Sequence, residues 1–259
     1  MMKALITGAS SGIGLECAKY LASKKIEVIL VARDREKLET IQKTLPTKTT
    51  IIVMDLSNEQ KVKELCALLK NESIDILINN AGFGSFGNFT ETELNRDLEM
   101  IDTNIKAVHI LTKYILKTMK LRNSGYILNV SSSASFMPGG PLMSTYYATK
   151  SYVSSLTKAI NYELKKEKSK VVVSVLCPGP VDTNFNNVAG VKFGVKPLSA
   201  KFVSRYAIDE MLDKHKMLII PGKKMKLAKF FSRFVSEKFL LKITYKIQRK
   251  KIRNRNDTT

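Results

Sequence analysis

The 259-residue sequence predicts a doubly wound α/β fold: a parallel sheet of about seven strands with helices on both faces, continued by a basic amphipathic helical extension. Three observations lead to it. Short apolar runs alternate with segments of helical periodicity as far as about residue 222, which is the signature of a parallel sheet built from βα units. The first apolar run passes directly into a glycine turn and a helix. Beyond residue 222 the composition shifts to Lys, Arg and aromatic residues.

Lys3 to Thr7 is the first strand, and Thr7-Gly8-Ala9-Ser10-Ser11-Gly12-Ile13-Gly14 follows it into a helix. A glycine turn between a strand and a helix start suits a phosphate-binding loop, because the helix offers free N–H groups and the positive end of its dipole. Gly8 permits the tight turn, Gly12 lets backbone approach a pyrophosphate, and Gly14 allows close helix–strand packing. Glu27 to Val31 is the second strand, ending in Ala32-Arg33-Asp34-Arg35. At this strand end an acid would hold the ribose 2′-hydroxyl of NAD and a cation the 2′-phosphate of NADP. Ala32 stands in the acid's place and Arg33 follows it, which favours NADP(H) over NAD; Asp34 suits the cap of the next helix.

The alternation continues with a strand over Thr50 to Met54 that ends at Asp55 and Leu56, a helix over Glu59 to Lys70, and a strand over Ile74 to Ile78. Asn79-Asn80-Ala81-Gly82 then lies at a strand's carboxyl end, where open α/β sheets bind ligands. Glu91 to Lys120 reads as one long helix or two in succession. It carries Asn104 inside, where a short polar residue is a poor helix former unless it has a task, and His109, which reads as a packed or surface histidine. Tyr126 to Val130 is the fifth strand. It opens into Ser131-Ser132-Ser133-Ala134-Ser135, a loop over Phe136 to Met143, and a helix from about Thr145 that places Tyr146 and Lys150 on one face. A phenol ordinarily titrates near pH ~10, and a neighbouring ammonium is expected to lower that value. Val171 to Cys177 is the sixth strand, followed by Pro178-Gly179-Pro180-Val181-Asp182-Thr183 and an irregular stretch to Pro197 that suits a substrate lid. Leu218 to Ile220 is the last strand.

Cys17, Cys66 and Cys177 are odd in number and widely spaced, which fits reduced thiols in a cytoplasmic protein rather than a disulfide framework. With only His109 and His215 besides, no cluster has metal-ligand spacing. Met1 and Met2 run straight into the first strand, which leaves no room for a signal peptide, and no apolar run approaches bilayer-spanning length.

Taken together, Thr7 to Gly14, Asp55, Asn79 to Gly82, the Ser131-Ser132 strand end with Tyr146 and Lys150, and Pro178 to Thr183 resemble the short-chain dehydrogenase/reductase family over roughly Lys3 to Gly222. The resemblance implies a Rossmann-type fold and hydride transfer between a nicotinamide cofactor and a carbonyl/alcohol pair. Tyr146 would be the general acid or base, Lys150 would bind ribose hydroxyls and lower the tyrosine pKa, and Ser132 would hold the substrate oxygen. Asn104 would anchor a water linking Lys150 to solvent. The cofactor would be held by Gly8, Ser10, Ser11, Gly12, Ile13 and Gly14, by Arg33, by Asp55 and Leu56 at the adenine, and by Asn80, Ala81 and Gly82. Tyr146, Lys150 and Pro178 would hold it too, with Val181 and Thr183 at the carboxamide. Two features depart from the family pattern. Counting back from the tyrosine selects Ser133, whereas alignment on the strand end selects Ser132; a one-residue insertion at Gly139-Gly140 reconciles the two in favour of Ser132. The glycine loop also lacks the basic residue of many NADP-preferring members, so Arg33 carries that preference.

Residues 1–222 therefore read as a catalytic domain and 223–259 as a basic tail. The formal net charge is +20, and residues 223–255 hold thirteen Lys and Arg against the single acid Glu237. Leu227, Phe230, Phe231, Phe234, Leu240, Ile243 and Ile247 recur there at helical spacing. Such a stripe suits an anionic membrane surface, which would put a cytoplasmic protein peripherally at the membrane, or it packs on the catalytic domain or a second subunit. Nucleic acid ranks last, since the tail has no aromatic platform or recognised binding fold. Phe83, Phe86, Phe89, Phe136, Met137, Leu142, Met143, Phe185 and Phe193 fall in loops expected near the substrate, which points to an apolar, bulky ketone or acyl compound. The alternative is a non-catalytic nucleotide-sensing or membrane-associated scaffold. By resemblance a homodimer or homotetramer is expected.

Overall fold

The strands that the apolar runs foretell form one seven-stranded, all-parallel sheet. The computed structural model describes residues 1–185 and 196–256. Along the sheet the order is β3 (Thr49–Val53), β2 (Glu27–Ala32), β1 (Lys3–Thr7), β4 (Ile76–Asn79), β5 (Tyr126–Val130), β6 (Val172–Leu176) and β9 (Leu218–Ile219). A separate parallel pair, β7 (Val181–Asp182) with β8 (Leu198–Ser199), was not legible in the sequence. The order reverses between β1 and β4, which makes their carboxyl ends the crevice of the sheet.

Alternate residues of each strand enter two different cores, as a sheet covered on both faces requires. Ala4, Ile6, Val28, Leu30, Ile76 and Ile78 face α1 (Gly12–Ser23), α2 (Arg35–Thr44) and α7 (Ala200–Leu212), where they meet Cys17, Leu21, Leu38, Val203 and Met211. Leu5, Ile29, Val31, Leu77 and Ile127 face α3 (Glu59–Leu68), α5 (Val108–Leu121) and α6 (Ser144–Lys166), where they meet Leu65, Leu111, Ile115 and Leu164. Cys17, Cys66 and Cys177 are buried and unbridged.

The long helical reading of residues 91–120 resolves into α4 (Leu94–Ile101) and α5 joined without a break by a π-helical turn over Asp102–Ala107, and Asn104 lies in that turn. The tail consists of α8 (Lys223–Phe231), a 3-10 turn and α9 (Glu237–Asn256). Thr244 and Gln248 of α9 are buried, whereas Phe230, Phe231, Phe234, Phe239, Ile243 and Ile247 are exposed. Most of the expected lid, with Phe193, lies outside the described residues. Among the described residues no helix is long and apolar enough to cross a membrane, and no group of three His, Cys, Asp or Glu could hold a metal ion.

Candidate active site

Above the carboxyl ends of β1 to β6 lies one continuous cleft of about 1370 Å³. Of the residues singled out in the sequence, Gly8, Ser10 to Ile13, Arg33, Asp55, Leu56, Asn80 to Gly82, Ser132, Tyr146, Lys150, Pro178, Val181 and Thr183 line it. Gly14 and Asn104 do not; they stand behind the wall.

The β1–α1 loop is shaped for an anion. Ser11 is the N-cap of α1 but makes no capping bond with its side chain, and the first turn carries no acid, so the helix start faces the cleft uncapped by side chains. Gly12 has φ +56°, and a Cβ there would stand 2.9 Å from Thr183 Cγ2. A Cβ on Gly14 would overlap the Gly8 carbonyl oxygen. Asn80 braces this loop: Nδ2 donates to Thr7 O at 3.0 Å and Gly8 O at 3.1 Å, while the N–H groups of Asn80 and Ala81 both donate to Thr7 Oγ1 at 3.0 Å. The asparagine of the Asn-Asn-Ala-Gly turn thus holds the loop, and Thr7 is a brace that the sequence pattern did not single out. This cradle, open only because glycines line it, fits the diphosphate of a dinucleotide.

At the far end of β2, Arg33 lies 3.9 Å from Asp55, whose Oδ1 accepts from the N–H and hydroxyl of Ser57 at 2.9 Å. Asp34 caps α2 by accepting from Lys37 N–H, and its other oxygen pairs with Lys37 Nζ at 2.7 Å. Lys37 also lines the cleft, a second cation beside Arg33 that sequence reasoning missed although it lies one turn away.

The other end of the cleft surrounds Tyr146. Its phenol faces Ser132, the N-cap of the 3-10 turn after β5, whose Oγ accepts from Ala134 N–H at 3.2 Å, whereas Ser133 uses its N–H on Pro178 O at 2.8 Å. Lys150 donates from Nζ to Val130 O at 3.0 Å, and its own carbonyl accepts from Ser131 Oγ at 2.7 Å. Asn104 is fully buried. Its Oδ1 accepts from Phe83 N–H at 3.1 Å, and Nδ2 donates to Phe83 O at 2.9 Å and Thr149 Oγ1 at 3.1 Å. The side-chain amide of Asn104 thus fixes the Phe83 backbone and α6. A Cβ on Gly82 would stand 2.7 Å from Asn104 Oδ1 and 3.3 Å from Lys150 Nζ, so glycine is what lets these groups converge. Behind them Asn79 Nδ2 donates to Asn129 Oδ1 at 2.9 Å and Thr112 Oγ1 at 3.0 Å, tying β4, β5 and α5 together.

The expected lowering of the phenol by Lys150 is not found. Burial pushes Tyr146 up to about 12, partly opposed by the Ser132 hydrogen bond. The ammonium sits 5.9 Å from the ring centroid and is directed to Val130 O, so it does little for the hydroxyl. Burial lowers Lys150 itself to about 8. Both shifts have one cause, the cost of charge in a dry site.

Apolar side chains close this end. Tyr146 packs with Phe185 at a ring-centroid distance of 5.3 Å and with Met143 and Phe83. Phe83, Met137, Met143 and Phe185 line the cleft as expected. Phe86 packs beside them, but Phe89 is exposed, Leu142 is buried elsewhere, and Phe136 packs on Val175, Cys177 and Ile220. The tail supplies a wall that sequence reasoning missed: Met225, Thr244, Ile247 and Gln248 line the cleft, and Gln248 Nε2 donates to Tyr147 Oη at 2.8 Å.

Comparison with known proteins agrees with this geometry. The sequence model described as short chain dehydrogenase matches residues 2–191. An uncharacterized short-chain type dehydrogenase/reductase of Sinorhizobium fredii is 38% identical over 197 residues, covering 74% of this chain and 75% of its own. Among solved structures, a short-chain dehydrogenase from Sphingobium yanoikuyae in complex with NADPH superposes with a TM-score of 0.81 at 25% identity, covering 90% of this chain and 94% of the other. A short chain dehydrogenase/reductase from Burkholderia phymatum in complex with NAD does so with a TM-score of 0.79 at 25% identity, covering 89% and 92%.

Proposed function

The chain belongs to the short-chain dehydrogenase family, and on that premise we propose that it reduces bulky, apolar carbonyl compounds with NADPH, using Tyr146 as the proton donor. At the coarser level it is an oxidoreductase working with a nicotinamide dinucleotide. The observation that carries the finer reading is one cleft onto which both an uncapped helix start and the Tyr146, Ser132 and Lys150 side chains open.

When bound, the nicotinamide supplies the hydride. The chain's own groups handle the proton and the oxygen. Burial keeps Tyr146 protonated, so in this reading it enters the reduction as the proton donor. Ser132, beside that phenol, would donate to the substrate oxygen as negative charge develops on it. Lys150, lowered to about 8, exchanges a proton near neutrality and is held by Val130 O. Arg33 and Lys37 beside Ala32 support a preference for a 2′-phosphate. The residues carried over from the family at the adenine and carboxamide, Asp55, Leu56, Pro178, Val181 and Thr183, keep those roles in this reading.

Residues 1–222 are read as the catalytic unit and 223–259 as an appended tail whose outward face carries Phe230, Phe231, Phe234 and Phe239 among Lys and Arg. That face suits an anionic membrane surface, apolar rings entering the headgroup boundary and cations pairing above it. Exposed Tyr152 and Tyr162 on α6 support pairing of subunits through the long central helices. The test of the enzymatic reading is a screen of bulky ketones with NADPH and with NADH. Reduction with NADPH preferred supports it; no turnover, or a clear preference for NADH, removes it.

A further inference from the structure

The wall of the cleft beside Tyr147 comes from the far end of the chain, and its polarity is inverted. An ordinary docking helix turns its apolar stripe inward. Here α9 buries Thr244 and Gln248, four residues apart, and leaves Phe239, Ile243 and Ile247 exposed. Thr244 needs no external partner, because its hydroxyl donates to Leu240 O at 2.8 Å. Gln248 is different. It is 2% exposed, its Nε2 donates to Tyr147 Oη at 2.8 Å, and its Oε1 is buried without a hydrogen-bond partner. Buried amide oxygens are seldom left unpaired in a protein interior, and this one belongs to a residue that lines the cleft.

The surroundings restrict what could pair with it. Met137, Met143, Tyr146 and Ile247 line the same cleft, which suits a partner that brings its polar atom on an apolar body. Tyr147 accepts from Gln248 and keeps a hydroxyl proton to donate. The two side chains therefore offer an acceptor and a donor side by side. Turning the amide over exchanges its ends and still leaves one unpaired; a hydroxyl, both donor and acceptor, satisfies either arrangement. The Tyr146 and Tyr147 rings are neighbours, their centroids 6.2 Å apart, so a carbonyl at Tyr146 and a hydroxyl at this pair can belong to one molecule. Gly140 makes the arrangement possible, since any Cβ there would overlap the Tyr147 ring, and Gly139 lies against Leu241 of α9.

We propose that Gln248 and Tyr147 form a specificity-determining pair that receives a hydroxyl of the substrate remote from the carbonyl being reduced, so that the preferred substrates are bulky hydroxy ketones. The proposal rests on the carbonyl-reductase reading above. A site built to bond a hydroxyl discriminates strongly against the analogue lacking it, because the buried polar group is then left unpaired. The test uses two fused-ring ketones of one skeleton, differing only in a hydroxyl on the ring farthest from the carbonyl. With the full-length protein and NADPH, the hydroxy ketone should have a kcat/KM at least about tenfold higher, mainly through KM. Gln248→Met, close in volume, should abolish that preference, and Gln248→Glu, which keeps an acceptor, should retain it. No preference in the wild type, an unchanged preference in Gln248→Met, or equal loss on both ketones overturns the proposal. The same pair is read by ligand-induced shifts in Tm. If neither ketone is turned over, the reductase reading fails, yet a shift with the hydroxy ketone that Gln248→Met removes still upholds the hydroxyl site, and the lack of such a difference refutes it.

Discussion

Lys150 is an ammonium held in a dry site, and its placement has a measurable cost. The group titrates near 8 in the folded chain against 10.5 when solvated, a difference of about 2.5 units or ~3 kcal/mol at ~1.4 kcal/mol per unit. Between these two pH values the unfolded chain binds more protons, so folded stability rises with pH through the window. Lys150→Met should therefore raise unfolding free energy by up to ~3 kcal/mol below pH 8, less the lost bond to Val130 O, with the gain fading toward pH 10.5. Chemical denaturation of both proteins at several pH values checks this; a gain independent of pH would contradict the burial argument. The same variant should lose turnover, a stability won at the expense of function. At the other end of the cleft, replacing Arg33 and Lys37 by Ala should weaken NADPH binding at least about tenfold, as expected for charge-assisted contacts of ~1.5–3 kcal/mol, and leave NADH little changed. Fluorescence titration distinguishes the two, and equal losses would dismiss the 2′-phosphate role.

The elements divide into those whose sequence signal is local and those fixed by distant packing. The β1–α1 loop belongs to the first kind: glycine spacing after an apolar strand announces it, and the clash that a Cβ on Gly14 would make with Gly8 O is why. Gly14→Ala should lower stability by about 1–3 kcal/mol, the usual cost of overpacking, and weaken dinucleotide binding. A thermal melt and an NADPH titration measure the two effects, and an unaltered variant would mean that the loop tolerates the shift. The seven strands and the Tyr146–Lys150 face were legible for the same reason, since periods of 2 and 3.6 are written residue by residue. The π-helical turn at Asn104, the short β7–β8 pair and the cleft-facing Gln248 were not. Each depends on which remote segment an element meets: Asn104 on Phe83, Val181 on Leu198, Gln248 on Tyr147. Phe89, Phe136 and Leu142 were misread as substrate contacts because loop membership does not fix which way a side chain turns.

Across the whole molecule, positive charge and exposed aromatic surface collect on the tail while the cleft opens toward the tail's buried side. The outward face of α8 and α9 should bind phosphatidylserine-containing vesicles, each basic group near the surface contributing ~1 kcal/mol. Replacing Phe230, Phe231 and Phe234 by Ser should abolish co-flotation without altering turnover of a soluble ketone; equal recovery would separate the tail from any membrane. On the other side of that tail, one cleft would join dinucleotide binding to proton transfer by Tyr146. Measuring NADPH affinity and ketone turnover on the Tyr146→Phe variant tests it most directly. The dissociation constant should stay close to that of the wild type while turnover falls by roughly 10²–10⁴-fold, the usual contribution of a positioned acid. Turnover retained by the variant would contradict it.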